Sequence, residues 1–191
     1  MTPRLISLTV ATLMAANLSA CFPLVAGGVA ASALVVTDRR TSGTYVEDQG
    51  IELKAVRQLS ERFAGSHVNA TSYNRAVLLT GEAQSEAQKA DIELMARGIP
   101  NVRRVYNHLV IAPVTTLAQR NNDTWLTTKV RTRLLEGQGY PPNAIKVVTE
   151  RGVVYLLGLV SDAEGEAAAQ VVAKTAGVRQ VVTLFDPITA P

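Results

Sequence analysis

The stretch AVLLTG at residues 76–81 has a counterpart in VVYLLG at residues 153–158. Each is a short apolar run that ends in glycine, which is the pattern of a buried β-strand. Aligning Gly81 with Gly158 also brings other residues of like character into register. The pairs are Val77 with Val154, Leu79 with Leu156, Ser85 with Asp162, and Ala90 with Ala167. An internal repeat of this kind predicts that two copies of one small unit make up most of the chain.

Hydrophobic periodicity predicts the same order of elements in each copy, namely helix, strand, strand, helix, strand. In the first copy these are residues 51–63, 67–72, 76–80, 85–97 and 102–111. In the second copy they are residues 123–136, 145–149, 153–157, 163–176 and 178–185. The inward stripes of the two first helices are Ile51, Ala55, Leu59 and Phe63, and Leu126, Val130 and Leu134. The sequence therefore predicts an α+β fold of two tandem domains.

Gly81 and Gly158 stand where a buried strand meets the start of a capped helix. Glycine at such a place permits a positive φ or a close approach between two backbones. We expect a structural role for both glycines rather than contact with a ligand. A side chain at Gly158 should then damage the second domain by unfolding it.

The first 20 residues have the features of a secretory signal peptide: a basic start at Arg4, an apolar run, and small residues before Cys21. Leu18-Ser19-Ala20-Cys21 resembles a bacterial lipobox, in which the leader is removed and the cysteine is acylated. The alternative is a plain signal peptide followed by an unrelated cysteine. Cys21 is the only cysteine, so no disulfide can form within the chain. Residues 21–46 are predicted to be a lipidated linker, since the apolar segment 22–36 is too short to cross a bilayer.

The net charge bears on one class of function, nucleic-acid binding. Without its leader the chain keeps 18 of the 19 basic residues and all 16 acidic ones, a net charge of only +2. A balance this weak does not indicate a nucleic-acid-binding protein.

The sequence also lacks the motifs of an enzyme, with no nucleophile elbow, phosphate loop or dinucleotide fingerprint. His67 and His108 have no cysteine or carboxylate at metal-ligand spacing. The pair Glu47-Asp48 falls in a predicted linker, and Glu164 and Glu166 are expected on a solvated helix face. We predict no catalytic residue, no metal, no cofactor and no small-molecule substrate.

Each copy contains a strand ending in Leu-x-Gly, then an Ala-rich helix, then a Val-x-x-Val strand. These pieces are residues 79–81 with 102–105, and residues 156–158 with 177–181. They resemble the BON domain, whose fold is α-β-β-α-β with both helices on one face of a three-stranded sheet. The first copy departs from the pattern, because Pro100-Asn101 replaces the glycine before Val102. On this resemblance the domains are residues 47–112 and 123–191, joined by residues 113–122.

Two BON domains behind a lipobox resemble the dual-BON lipoproteins of proteobacterial outer membranes. The resemblance implies a lipid-anchored protein that faces the periplasm. Phe22, where retained inner-membrane lipoproteins carry Asp, favours the outer membrane under the family's sorting rule.

The helix at residues 123–136 carries the most informative candidate site. Trp125 falls off the inward stripe, with Lys129 and then Arg133 along the same side. A tryptophan beside cations suits the interface of an anionic membrane. The candidate phospholipid-binding residues are Trp125, Leu126, Thr128, Lys129, Thr132 and Arg133. The alternative is that Trp125 packs against the other domain or the linker.

The resemblance favours lipid contact, because the second BON domain of these lipoproteins binds anionic phospholipid through its first helix. The first copy has Gly50 in place of Trp125, together with several acidic residues, so only the second domain is expected to meet lipid. The resulting hypothesis is a non-enzymatic lipoprotein that supports outer-membrane integrity, with division sites as one place of action. The alternatives are a periplasmic adaptor for envelope assembly, division or cell-wall remodelling proteins, and a transport or secretin-associated module.

Overall fold

Two helix-strand-strand-helix-strand units follow one another in the computed structural model, which describes residues 38–188. The first unit comprises α1 (Ser42–Arg62), β1 (His67–Tyr73), β2 (Ala76–Ala83), α2 (Glu86–Arg97), β3 (Arg104–Asn107) and β4 (Val110–Ile111). The second comprises α3 (Leu117–Glu136), a short 3-10 turn (Pro142–Ala144), β5 (Ile145–Glu150), β6 (Val153–Val160), α4 (Asp162–Ala173) and β7 (Gln180–Pro187). The predicted α+β repeat is therefore confirmed.

Each unit forms a small mixed sheet with its helices on one face. The strand order is β1-β2-β3 in the first sheet, where β4 also pairs with β2, and β5-β6-β7 in the second. The first two strands of each unit are antiparallel, and the last strand runs parallel to the middle one. The predicted inward stripes of α1 and α3 pack on these sheets, with only Phe63 partly buried. Each unit therefore has its own apolar core between helices and sheet.

The faces of the two sheets that carry no helix pack against each other. Tyr73 and Leu78 of the first sheet form one buried cluster with Tyr155 and Leu157 of the second. Alternate residues of β2 and β6 point in opposite directions, so each of these strands contributes to two cores. The Tyr73 hydroxyl adds a hydrogen bond of 3.0 Å to the Ala144 carbonyl across the interface. The result is a helix-sheet-sheet-helix arrangement that joins the two units.

The two first helices begin earlier than the apolar pattern predicts. Helix α1 starts at Ser42, within the predicted linker, and the Thr41 hydroxyl accepts a hydrogen bond from the Thr44 amide. Helix α3 starts at Leu117, and Thr116 and Gln119 form a capping box there. In both cases the added turns are largely polar, and side-chain caps rather than apolar periodicity set their starts.

The predicted strand at residues 102–111 is divided into β3 and β4. The break falls at His108 and Leu109, where Asn107 Oδ1 accepts a hydrogen bond from the Leu109 amide. Leu109 is buried in the core of the first unit, so the chain turns there to bury an apolar side chain.

Gly81 and Gly158 lie where another backbone approaches closely. A Cβ at Gly81 would lie 2.0 Å from the His67 carbonyl oxygen, and the residue has a φ of +110°. A Cβ at Gly158 would lie 2.7 Å from the Ala144 carbonyl oxygen. The structural role of both glycines stays a prediction, for which these close approaches supply the physical reason.

A buried aspartate on the first helix of each unit holds the β-hairpin turn of that unit. Asp48 accepts hydrogen bonds from the amides of Asn74 and Arg75, at 2.8 and 2.7 Å. Asp123 accepts from the amides of Arg151 and Gly152, both at 2.8 Å. The assignment of Asp48 to a linker was wrong, because this residue lies within α1 and is only 1% exposed. The equivalence of the two aspartates also confirms that Gly50 occupies the place of Trp125.

The segment just before α1 is held to both units by two arginines. Arg39 makes a two-pronged ion pair with Glu164 at the start of α4, at 2.7 and 2.8 Å. Arg40 lies between Asp38 and Asp48, and its guanidinium stacks 4.1 Å from the centre of the Tyr73 ring. We call these contacts the arginine clamp.

The clamp predicts a small, pH-dependent loss of stability in Glu164→Gln. The Arg39 hydrogen bonds lower the pKa of Glu164 from 4.5 to about 2. Its pKa is lower in the folded state, so the stabilisation is present above pH 4.5 and is lost as the pH falls towards about 2. We expect a cost of up to about 1 kcal/mol near neutral pH, because the pair is near the surface.

Urea unfolding at a series of pH values measures this cost. Glu166→Gln, on the same helix and outside the clamp, is the matched control for loss of charge. A cost that does not change with pH would contradict the assigned role of Arg39.

Candidate functional site

Trp125 projects from α3 into solvent. Its side chain is 65% exposed, whereas Leu126, Val130 and Leu134 of the same helix lie in the core. The tryptophan therefore does not pack on the first unit, which was one form of the alternative interpretation; most of the linker, the other form, lies outside the described residues. Leu126 is only 3% exposed, so its place among the lipid-binding candidates does not fit the structure. It holds the helix on the sheet instead.

Threonines line the outward face of α3 next to Trp125. Thr124, Thr128 and Thr132 are exposed, and each hydroxyl donates to the backbone carbonyl four residues earlier, at 3.0, 3.2 and 3.1 Å. These hydroxyls are thus hydrogen-bonded within the helix, so less of the surface depends on water for hydrogen bonding. This threonine row, made of Thr124, Thr128 and Thr132, presents methyl groups and hydrogen-bonded hydroxyls around the indole.

The two cations predicted to contact lipid, Lys129 and Arg133, differ in the contacts that they make with the rest of the protein. Lys129 is half-buried, and its Nζ donates to the Ala176 carbonyl at 3.0 Å. Arg133 is exposed and pairs with Glu136 at 3.3 Å. Within the described residues Arg131, one turn from the threonine row, is exposed and has no ion pair. The helix therefore has three cations within reach of an anionic surface. Two of them, Lys129 and Arg133, already contact another group of the protein. The third, Arg131, does not lie directly beside the indole.

Two further exposed apolar residues on α3 were missed by the sequence analysis. Leu117 is 74% exposed and Leu135 is 67% exposed, and helical periodicity places both near the side of Trp125. Leu117 was missed because the helix was expected to start at residue 123. The capping box at Thr116 and Gln119 was the available signal for the earlier start. The outward face of α3 thus carries an exposed apolar residue at its beginning, its middle and its end.

The equivalent helix α1 differs less from α3 than its sequence suggests. It has Gly50 where α3 has Trp125, but it exposes Val46, Leu53 and Val56. One of its acidic residues, Glu52, is neutralised by Lys146 at 2.7 Å. The lack of a tryptophan, rather than a strongly acidic face, is the main distinction between the two helices.

His67 has carboxylate neighbours that the sequence did not predict. Its Nδ1 lies 3.0 Å from Glu82 Oε2, and Glu150 is close to both. Burial alone would raise the pKa of Glu82, but hydrogen bonds from Thr115, His67 and Arg151 lower it overall. Burial raises the pKa of Glu150, whose carboxylate faces those of Glu82 and Asp123.

His108 has a structural setting instead. Its ring meets that of Tyr155 edge-on at 4.9 Å, and burial lowers its pKa.

Cys21, the proposed site of lipid attachment, lies outside the described residues together with the leader. Among residues 38–188, no helix combines the length and the apolar character needed to span a bilayer.

Comparison with known proteins identifies two BON domains in the chain. The sequence profile of the BON domain matches residues 47–113 and 122–186. Outer membrane lipoprotein DolP of Haemophilus influenzae is 37% identical over 171 residues, which cover 88% of this chain and 89% of that protein.

Two more distant relatives share most of the same region. The 21 kDa hemolysin of Actinobacillus pleuropneumoniae is 30% identical over 152 residues, covering 78% of each chain. Osmotically-inducible protein Y of Escherichia coli is 26% identical over 144 residues, covering 73% of this chain and 72% of that one.

Proposed function

Since the chain belongs to the BON domain family and is homologous to an outer membrane lipoprotein, we propose that it binds anionic phospholipid through α3. In this proposal the protein is a non-enzymatic lipoprotein, attached through acyl chains on Cys21 and facing the periplasm. Phospholipid contact by the second domain supports the integrity of the outer membrane, including at division sites.

The exposed Trp125 is the observation that carries the proposal. A large apolar side chain that is 65% exposed gains free energy when its ring enters the headgroup region. Leu117 and Leu135 extend this apolar surface along the helix, and the threonines beside Trp125 lose few hydrogen bonds to water. The helix can therefore lie on a membrane without a change in its own fold.

Positive charge gives this contact its preference for anionic lipid. Arg131 and Arg133 are exposed, and each cation near an anionic surface adds about 1 kcal/mol. Lys129 must share its ammonium with the Ala176 carbonyl, so we assign it a smaller contribution. Because the acyl chains supply attachment, the helix acts by selecting where in the membrane the tethered protein resides.

Trp125→Ala is expected to weaken binding to vesicles rich in phosphatidylglycerol by about tenfold or more, since each 1.4 kcal/mol corresponds to a factor of ten. The protein used lacks the first 21 residues, so that acyl chains do not mask the effect. Binding is followed by vesicle sedimentation and by amide chemical shifts of residues 117–136.

Leu53→Ala is the matched control, because Leu53 is 73% exposed on α1 of the other unit. We expect it to bind as the parent does. Equal losses in both variants would contradict a specific role for α3, and unchanged amide shifts in α3 would refute the proposal.

The adaptor hypothesis predicts a different result for Trp125→Ala. In that case the variant would lose binding to an envelope protein in buffer without lipid, while vesicle binding by the parent would be absent.

A further inference from the structure

Glu150 is a buried carboxylate without a cationic partner. It lies at the end of β5, is 7% exposed, and accepts a hydrogen bond of 3.1 Å from Asn69 Nδ2. Within residues 38–188, it takes part in no ion pair. A charge in such a place is normally paired with an opposite charge or coordinated to a metal.

His67 and Glu82 face this carboxylate from the other domain. They are directly opposite each other on β1 and β2, which aligns their side chains across the pair of strands. Glu150 reaches them because the two sheets pack face to face. One ligand atom from each of the three residues lies within 4.8 Å of the others. Three strands and both domains therefore converge on one small volume.

The donor set is one imidazole nitrogen and two carboxylates. This combination is typical of sites for divalent transition metals, and three protein ligands leave a fourth position for water. At zinc bond lengths of about 2.0–2.2 Å, neighbouring ligand atoms of a tetrahedron are about 3.4 Å apart. The His67 Nδ1 to Glu82 Oε2 distance of 3.0 Å is close to this value. Glu150 would need to approach by up to about 1.4 Å, within the range of a side-chain rotation.

Surrounding groups can orient these ligands. The Thr115 amide donates to Glu82 Oε2 at 3.2 Å, and Asn69 Nδ2 holds Glu150 Oε2. Asn69 Nδ2 also lies 3.4 Å from His67 Nε2, and a metal ion on Nδ1 requires the imidazole proton to be on Nε2, so this long contact would be given up while Asn69 keeps its hydrogen bond to Glu150. That tautomer leaves Nδ1 free to bind a metal.

Charge and access are also compatible with a cation. Arg151 contacts Glu82 Oε1 at 3.1 Å, so Glu82 Oε2 remains on the side of His67. Arg151, Glu82 and Glu150 together carry a net charge of −1. A groove of about 680 Å³, which Asn69 and Glu150 help to line, offers an entry path.

We propose that His67, Glu82 and Glu150 form a binding site for one divalent transition metal ion, with zinc as the best fit, at the interface of the two domains. The ion would neutralise Glu150 and join β1 and β2 of the first domain to β5 of the second. It stabilises the domain pair rather than taking part in lipid binding, so the proposal is independent of the role of α3.

The test uses the mature chain without a polyhistidine tag and with Cys21→Ser, because a free thiol would bind zinc by itself. Isothermal titration calorimetry should show one zinc ion per chain. At a free zinc concentration about 100 times the dissociation constant, the thermal unfolding midpoint should rise by about 5–10 °C. Cobalt should bind at the same site and give a visible spectrum of four-coordinate type.

His67→Gln and Glu150→Gln should each weaken zinc binding by more than about 100-fold, since even neighbours of metal ligands commonly account for 10–100-fold. His108→Gln is the control and should bind as the parent does. Circular dichroism confirms that each variant is folded. The cobalt spectrum of the parent tests the metal site without any substitution. The proposal is overturned if zinc fails to raise the midpoint, or if His67→Gln binds zinc as tightly as the parent.

Discussion

Gly81→Ala is expected to destabilise the protein by more than about 4 kcal/mol and to unfold the first domain under ordinary conditions. The new Cβ would lie 2.0 Å from the His67 carbonyl oxygen, a distance that no side-chain rotation can relieve. Strands β1 and β2 would have to separate, with loss of hydrogen bonds between them. The φ of +110° adds a backbone cost of about 1–3 kcal/mol for any residue other than glycine.

Gly50→Ala is the matched control for this substitution. It lies within α1, where an added Cβ meets no atom within 4 Å, so we expect a gain of about 0.5–1 kcal/mol. Gly158→Ala should fall between the two, because its Cβ would lie 2.7 Å from the Ala144 carbonyl oxygen. Urea unfolding gives the three free energies. A Gly81→Ala protein with the parent's midpoint would show that the strands can separate at little cost.

Asp48→Ala is expected to cost about 3–5 kcal/mol, the range for removing one partner of a buried ion pair. Its carboxylate accepts four hydrogen bonds, from the Ser72 hydroxyl, the amides of Asn74 and Arg75, and the Arg40 guanidinium, at 2.6–2.8 Å. The substitution leaves these donors without their acceptor. Asn74 and Arg75 both have positive φ angles, so the turn that loses its amide contacts is also a strained one.

Glu47→Ala tests the neighbouring position on the same helix. Glu47 is more exposed and makes only long contacts, to Arg75 at 3.7 Å and to Asn101 at 3.4 Å, so we expect a change within about 0.5 kcal/mol. Asp123→Ala should lie closer to Asp48→Ala, because Asp123 holds the second hairpin in the same way. The free energy of unfolding of each variant decides the matter. Equal effects of Asp48→Ala and Glu47→Ala would mean that the hairpin turn does not depend on this carboxylate.

The repeat could be read from the sequence because its strands are apolar runs closed by glycine. That signal is local, and it predicted the order of elements, the two core stripes and the position of Trp125 outside the stripe. The starts of α1 and α3 were missed because their first turns are largely polar. The apolar periodicity therefore begins several residues after the helix does. Thr116 and Gln119 form a recognisable capping box, whereas Thr41 has no such partner three residues later.

Contacts between the two sheets could not be predicted from residue spacing. Glu150 is far along the chain from the cross-strand pair His67 and Glu82, and it meets them only because the helix-free faces of the sheets are packed together. The burial of Asp48 was equally hidden, since a buried aspartate and a solvated one look alike in a polar stretch. Extending the repeat alignment towards the N-terminus would have paired it with Asp123, which sits at the same place before its hairpin.

The arginine clamp places contacts to both domains on the path of a force applied to the chain before residue 38. Tension transmitted along the chain from residues before 38 meets Arg39 and Arg40 before it reaches the first turn of α1. Arg39 passes its share to Glu164 of the second domain, and Arg40 passes its share to Asp48 of the first. A pull applied before residue 38 would therefore be shared between the two domains through Glu164 and Asp48.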